Sequence, residues 1–442
     1  MALSAAAAMA LVAACGNGDS EDPLAGTDDD ATETDDTTDT DSETDDAGES
    51  GDAVTLTWWH NSNNEPGQGF YEEVAADFEA MHEGLTIEIE AMEHTDMVDR
   101  LAVSWQTGDN PDVFMERGGG EMAAKVEAGL IKDLTDLAPD TIDTISATAA
   151  AYELDGRTYA LPFSIGLVGF WYNTDLFDEA GVEPPTTMDE LYDVIDGLKA
   201  ADIEPISVGA QDGWPAAHYW YYFAVRQCSV EALETATVDM DLSDECFTRA
   251  GEDLQALIDV EPFNTGFLGT PAQAGPTSAS GLLAAEEVAM ELAGHWEPGV
   301  LQGLTEDGEG LDGRLGWFPF PAVDGADGDP EAQMGGGDAW ACAENAPDIC
   351  VDFIEHLLSD EVQQGFAEND MGLPTNPSAT EYVADESMAQ LLEYRDTAPY
   401  VQLYLDTLLG EAVGGEMNDA IVRMFGGQAS PEDIVNAIES AG

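Results

Sequence analysis

The feature that most narrows the fold is the order of hydrophobic periods after residue 53. Val54-Thr55-Leu56-Thr57-Trp58 alternates like a half-buried strand and runs into the polar cluster His60-Asn61-Ser62-Asn63-Asn64, with Pro66 and Gly67 behind it. Tyr71, Val74, Ala75 and Phe78 fall at helical spacing, Leu85 to Ile89 returns to a period of two, and Met97 to Trp105 is helical again. After the break Gly108-Asp109-Asn110-Pro111 comes a short apolar strand, Asp112 to Met115. This β-α-β-α-β order predicts an α/β fold with a mostly parallel sheet flanked by helices, because parallel neighbours need a crossover. Ligands of such sheets bind beyond the carboxyl ends of the strands, here His60 and Asn61, and Glu116 and Arg117 ahead of Gly118-Gly119-Gly120.

A second set of elements follows. Thr158 to Phe163, Gly169 to Asn173, Val288 to Leu292 and Gly316 to Phe320 read as strands, and Thr187 and Glu190 have the spacing of a capping box. Helices are predicted over 348–358 and 360–368, then from Ala384 to Leu409, Glu416 to Phe425 and Pro431 to Ser440. The 442 residues, 44% of them hydrophobic, suffice for two globular domains.

Charge excludes several classes of partner. Against 92 carboxylates stand 11 Lys and Arg, a net charge of -81 that repels phosphate backbones and so rules out nucleic-acid binding. Asp19 to Asp52 holds 16 carboxylates, leaving 76 against all 11 basic residues, a net charge of about −65 on the remainder. Such a body is relieved by screening at molar salt, and a salt-loving source is expected; an ordinary acidic secreted protein is the alternative.

Met1 to Ala14 is an uninterrupted run of small and apolar residues. At 1.5 Å per residue it reaches about 21 Å, short of a ~30 Å hydrocarbon core, and so predicts a signal peptide over 1–14 rather than a span. Val12-Ala13-Ala14-Cys15 resembles a bacterial lipobox, which implies acylation of Cys15 and anchoring to the outer face of the cell membrane. No Lys or Arg precedes the run, so a start further upstream is expected. The segment 15–52 is expected to be a disordered acidic tether, too polar to offset its ordering entropy. The remaining Cys228, Cys246, Cys342 and Cys350 form an even set without zinc spacing, which fits disulfides in an oxidising compartment. Three connectivities are open; pairing Cys228 with Cys246 and Cys342 with Cys350 closes the shortest loops.

Catalytic motifs fail. Gly308-x-Gly310-x-x-Gly313 precedes a strand instead of following one and carries two acids, and no Gly-x-Ser-x-Gly elbow, His-Glu-x-x-His helix or Walker loop occurs. No catalytic residue, metal site or cofactor is assigned.

Five segments in order carry a family resemblance: Thr107 to Phe114, Asp155 to Phe163, Trp171 to Phe177 with Ala180 to Thr187, Ala289 to Trp296, and Met371 to Thr375. The chain resembles the extracellular solute-binding proteins of bacterial ABC importers, in their carbohydrate-binding, maltose-binding-protein-like class. That resemblance implies a two-lobed periplasmic-binding-protein-like fold joined by hinge strands, with 53–162 plus 321–374 in the N-terminal lobe and 163–320 plus 375–442 in the C-terminal lobe. It further implies a monomer that captures a sugar in the cleft and delivers it to a membrane permease. A secreted glycan-cleaving enzyme and a binding protein for a cationic solute are the alternatives.

A sugar presents apolar C–H faces and a rim of hydroxyls, so its site needs aromatic platforms and planar polar groups. Trp171, Trp214, Trp220, Trp296 and Trp340 are the candidate platforms; Trp58, Trp105 and Trp317 lie inside periodic segments and are assigned to the core. The glycines before Trp296 and Trp340 suggest close approach of backbone to ligand. Candidate polar partners are His60, Asn61, Glu116, Arg117, His295 and Asp338, with Asp406 added by the likeness of its segment to the oligosaccharide-importing branch.

Overall fold

The computed structural model describes residues 53–311 and 313–442; the expected signal peptide, Cys15 and the acidic tether lie outside the described residues. Ten strands matter here: β1 Val54–His60, β2 Leu85–Ala91, β3 Val113–Glu116, β4 Leu161–Leu167, β5 Gly169–Asn173, β6 Glu204–Ser207, β7 Val288–Ala293, β8 Leu315–Phe318, β9 Gln333–Cys342 and β10 Val401–Leu403. They form two sheets, the first ordered β10-β9-β3-β1-β2 with β4 also on β9, the second β8-β5-β7-β6. Each sheet has its own core, so the body is two-lobed, as the resemblance implies.

In the first sheet β1 runs parallel to β2 and β3, as the helical crossovers α1 (Gly67–Met81) and α2 (His94–Thr107) require. Helix α3 (Gly119–Glu127) follows β3 directly. The core beneath holds Trp58, Tyr71, Phe114, Trp340 and Phe353, with the Trp58 ring edge-on to Trp340 at 5.3 Å and to Phe353 at 5.0 Å.

The second sheet departs from the mostly parallel expectation. Only β6 and β7 are parallel; β5 runs antiparallel to β7 and β8. Val168 alone separates β4 in the first sheet from β5 in the second, so β5 enters the second sheet straight from the first, with β7 and β8 antiparallel on either side of it. The capping box of helix α4 (Met188–Ala200) is present, with Thr187 and Glu190 reciprocally bonded. Helix α5 (Trp214–Gln227) is buried on every face from Pro215 to Gln227, between the sheet and helices α6 (Glu245–Asp259) and α8 (Glu411–Phe425). Helix α7 (Glu297–Leu304) follows β7, and α9 (Pro431–Ala441) covers α8.

β4 stays paired with β9 as far as Leu167 opposite Gly335, and Phe320, Ala332 and Met334 pack in the second core. The helix expected over Ala384 to Leu409 is interrupted. Helix Glu386–Thr397 ends ahead of Pro399, whose ring disfavours a helical residue before it, and β10 then joins the first sheet beside β9.

Cys228 is joined to Cys246 and Cys342 to Cys350, with Cα separations of 5.1 and 6.1 Å. One bridge ties the end of α5 to the start of α6; the other ties β9 to helix Ile349–Leu357. Among the described residues no helix is long and apolar enough to cross a membrane.

Candidate functional site

A cavity of about 1280 Å³, its open mouth included, lies between the lobes. The first lobe supplies the loop Asn61 to Gly67, Glu93 and His94 at the start of α2, Arg117 after β3, Ser164 on β4 and Asp338 on β9. The second supplies Trp214 and His218 from α5, Gln273, and His295 and Trp296 after β7; Tyr404 and Asp406 come from the segment after β10. Most of these follow the carboxyl end of a strand, where the local turn frees backbone and side chains to face a ligand.

Of the residues singled out in the sequence, Asn61, Arg117, Trp214, His295, Trp296, Asp338 and Asp406 line the cavity. The others are placed elsewhere by packing. His60 is buried beneath the loop, its ring 4.6 Å from Trp58 and 5.1 Å from Tyr71, and its Nδ1 accepts from the Ser62 amide at 3.2 Å. Glu116 is occupied by structure: it accepts from Lys125 Nζ at 2.8 Å and from the amides of Arg117 and Gly118. Trp220 and Trp340 are core rings, at 0% and 1% exposure. Trp171, also fully buried, donates Nε1–H to the Gly294 carbonyl at 2.9 Å and so supports the turn that carries His295 and Trp296.

The glycines have a different use from the one expected. A Cβ on Gly294 would stand 2.3 Å from the Trp296 ring, and one on Gly336 2.5 Å from the Tyr404 ring. Both glycines therefore make room for an aromatic wall of the cavity rather than for backbone against ligand. Trp214 and Trp296 meet edge to face at 6.0 Å, and Tyr404 stacks on His218 at 5.4 Å.

Charge in the cavity is centred on Arg117. Burial opposes its charge, but Glu121, Asp406, Asp338 and Glu116 together hold its pKa above the usual range, and its guanidinium donates to Glu121. Asp338 has its pKa raised to about 6, chiefly by burial, with Arg117 pulling the other way. Asp406 accepts from the Thr407 amide at 2.8 Å and from Asn418 Nδ2 at 3.3 Å.

Three histidines face the cavity in neutral form. Burial lowers His94 and His295 to about 3 and His218 to about 4. Asn61 Nδ2 lies 3.2 Å from His94 Nδ1. His295 Nε2 lies 2.8 Å from Ser164 Oγ, whose own proton goes to the Leu373 carbonyl at 3.0 Å. Nε2 must then be the protonated nitrogen, which leaves Nδ1 as an acceptor.

Sequence reasoning missed Glu93, His94, His218, Gln273 and Tyr404. His94 and His218 stand in helical stretches, with no local pattern to mark them.

The cavity wall also leaves polar atoms unanswered. Trp214 Nε1, Trp296 Nε1, Gln273 Nε2, His218 Nδ1, His295 Nδ1 and the Tyr404 hydroxyl are buried and have no hydrogen-bond partner within the protein. Buried polar atoms are normally paired, so this cluster leaves donors and acceptors on one cavity available to a polar molecule.

Residues 61–364 match the bacterial extracellular solute-binding proteins. The chain belongs to that family. This solute-binding protein is 28% identical over 209 residues to a putative binding protein of Brucella abortus, covering 43% of the chain and 51% of the relative, so it spans about half the length of that protein. To the diacetylchitobiose binding protein DasA of Streptomyces coelicolor it is 25% identical over 420 residues, 90% of the chain and 88% of the relative. A solved structure concerning xylan utilization by the thermophilic bacterium Caldanaerobius polysaccharolyticus superposes with a TM-score of 0.81 at 23% identity, over 88% of this chain and 99% of that one.

Proposed function

We propose that this protein captures a sugar or oligosaccharide in the interlobe cavity and delivers it to the membrane subunits of an ABC importer. The observation that carries the reading is the set of unpaired polar atoms between aromatic faces. Trp214 and Trp296 Nε1 and Gln273 Nε2 donate, His295 Nδ1 accepts, and Tyr404 does either. A hydroxyl donates and accepts at once, so a polyol ring answers both kinds while its C–H faces cover the indoles. Titrating a panel of mono- and oligosaccharides, diacetylchitobiose among them, while following melting temperature tests it, because a ligand of the native state raises apparent stability. No shift with any sugar would sink the reading. Product analysis after incubation separates binding from glycan cleavage, since a binding protein returns the sugar intact.

A specific observation favours a cationic solute as second reading. Glu93, Asp338 and Asp406 face the cavity, while Arg117, the guanidinium that lines it, is committed to Glu121. Polyamines in the same titration decide between the two.

Asp338 supplies a prediction. If its carboxylate accepts a ligand hydroxyl, affinity falls as pH drops from 7.5 to 5 through about 6, and Asp338→Asn weakens binding at neutral pH by about 1.5–3 kcal/mol while flattening the profile. In the unliganded protein the sign reverses: a carboxyl with a raised folded pKa contributes stability that is present below its unfolded pKa and lost as pH rises through about 6. Calorimetry across that range checks both; a flat wild-type affinity excludes Asp338 as acceptor.

The setting completes the proposal: a signal peptide removed before Cys15, a lipid on Cys15, the acidic tether, a monomeric body on the outer face of the membrane, and a salt-rich medium. The melting temperature is expected to rise steadily on adding KCl over the molar range, since screening relieves a net charge of about −65 on the body. A flat or falling curve would discard the salt-loving assignment without touching the binding one.

A further inference from the structure

His295, carried by the turn after β7 in the second lobe, lodges its ring in a slot of the first lobe. β4 forms one side of the slot: a Cβ on Gly166 would stand 2.3 Å from His295 Cγ and 2.6 Å from Nδ1. Gly372 forms another, where a Cβ would stand 2.7 Å from Ser164 Oγ and 3.2 Å from His295 Cδ2, and where a φ of +149° already favours glycine. Inside the slot Ser164 Oγ lies 2.8 Å from His295 Nε2 and 3.0 Å from the Leu373 carbonyl. His295 and Ser164 are 3% and 4% exposed, and both line the cavity.

Two arrangements of protons are open to these atoms. With the proton on Nε2, the imidazole donates to Oγ and Oγ donates to Leu373, so both hydrogen bonds form. With it on Nδ1, Oγ must give its single proton to Nε2, the contact with Leu373 loses its donor, and a buried N–H is left with no acceptor in the protein. The first arrangement satisfies more groups. Burial keeps the ring neutral down to about 3, so the site sets its tautomer and not its charge.

We propose that Ser164 is a positioning residue that holds His295 in the Nε2–H form, and that Nδ1 thereby selects ligands carrying a hydroxyl that donates at that point. Trp214, Trp296 and Gln273 offer donors to the same cavity, whereas Nδ1 is an acceptor that a ligand lacking a donor there leaves buried and unpaired. Because Ser164 stands on β4 and His295 follows β7, the contact also joins the two lobes beside the ligand. The selectivity rests on the binding function proposed above; the tautomer does not.

The experiment uses the full chain with ¹⁵N-labelled histidine, as wild type, Ser164→Ala and His295→Phe. Long-range proton–nitrogen spectra of the unliganded wild type are expected to show a protonated Nε2 and a bare Nδ1 for the resonances that vanish in His295→Phe. In Ser164→Ala the Leu373 carbonyl keeps the Ile165 amide at 3.2 Å, so the melting temperature moves little, while the ring loses its acceptor and shifts towards Nδ1–H. Affinity for diacetylchitobiose, or for the panel sugar that raises the melting temperature most, is expected to fall about ten- to a hundredfold in both variants. Singly deoxyfluorinated analogues read the selectivity, since fluorine accepts and cannot donate. The analogue that wild type rejects most is expected to bind Ser164→Ala nearly as well as the parent sugar does; a merely structural serine would lower both affinities equally. A protonated Nδ1 in wild type, or an unchanged tautomer in Ser164→Ala, overturns the positioning role, and equal losses for sugar and analogue overturn the selectivity. Should Ser164→Ala fail to fold, the wild-type spectrum still decides the tautomer, and unchanged affinity in His295→Phe, which keeps a ring in the slot, sinks the ligand contact. The expected tautomer with no panel sugar bound would leave the role of Ser164 standing and fell the sugar reading alone.

Discussion

Trp296→Ala is expected to abolish most of the ligand affinity while leaving the unliganded fold nearly intact. The ring is half-buried, stands at the start of α7, meets Trp214 edge to face and presents an Nε1–H with no partner in the protein. Truncating a central aromatic in a desolvated contact costs about 2–4 kcal/mol of binding, a loss of roughly thirty- to a thousandfold. Trp171 provides the contrast, since its ring is fully buried and its Nε1 holds the Gly294 carbonyl. Trp171→Ala is expected to cost about 3–5 kcal/mol of folding stability, because it leaves a cavity as well as an unpaired carbonyl. Calorimetry and thermal melting on the two variants separate the roles. A collapsed melting temperature with normal sugar binding by the remaining folded Trp296→Ala protein would place Trp296 in the packing and remove it from the site.

That contrast shows how far the sequence could be read. The alternation of Val54 to Trp58 and the helical spacing of Tyr71 to Phe78 state the first sheet and its crossover outright, because period and burial are local properties of the chain. Strand ends also led to Asn61 and Arg117, which line the cavity. The tryptophans could not be sorted in the same way. Trp171, Trp220 and Trp296 are alike in composition and neighbourhood, and what separates them is which ring the opposing elements cover. Trp220 lies on a helix buried on all faces, whereas Trp296 lies where β7 gives way to α7 at the mouth between lobes. His94, His218 and Tyr404 reach the cavity from elements far apart in sequence, so only the tertiary fold places them together. The stretch Ala384 to Leu409, read as one helix, contains Pro399, and the strand β10 lies just beyond it.

Arg226→Met is expected to destabilise the protein by several kcal/mol without altering the ligand site. This chain has 11 basic residues among 92 carboxylates, yet Arg226 is buried and gives its guanidinium to three carbonyls. Its Nε donates to Pro321 at 3.0 Å, Nη1 to Ala332 at 2.5 Å and Nη2 to Phe320 at 2.6 Å, while the group lies 5.4 Å from the Tyr222 ring centroid. Those carbonyls bracket residues 321–332, the excursion between β8 and β9, so one side chain closes the base of the segment that carries the chain from the second sheet back to the first. Burial lowers its pKa, but an arginine keeps its charge at any pH the protein meets. Methionine fills similar volume and answers none of the carbonyls. At about 1–3 kcal/mol for each acceptor left unpaired, partly offset by no longer desolvating a cation, the net cost is about 3–5 kcal/mol. For a chain of this size that lowers the melting temperature by roughly 6–10 °C, at about 2 °C per kcal/mol. Arg226→Lys keeps the charge but not the planar fork, and is expected to recover less than half of the loss. A melting temperature within 2 °C of wild type for Arg226→Met would mean that solvent reaches these carbonyls and that the crossing segment is held by its apolar contacts, Phe320 against Tyr222 and Phe223, instead.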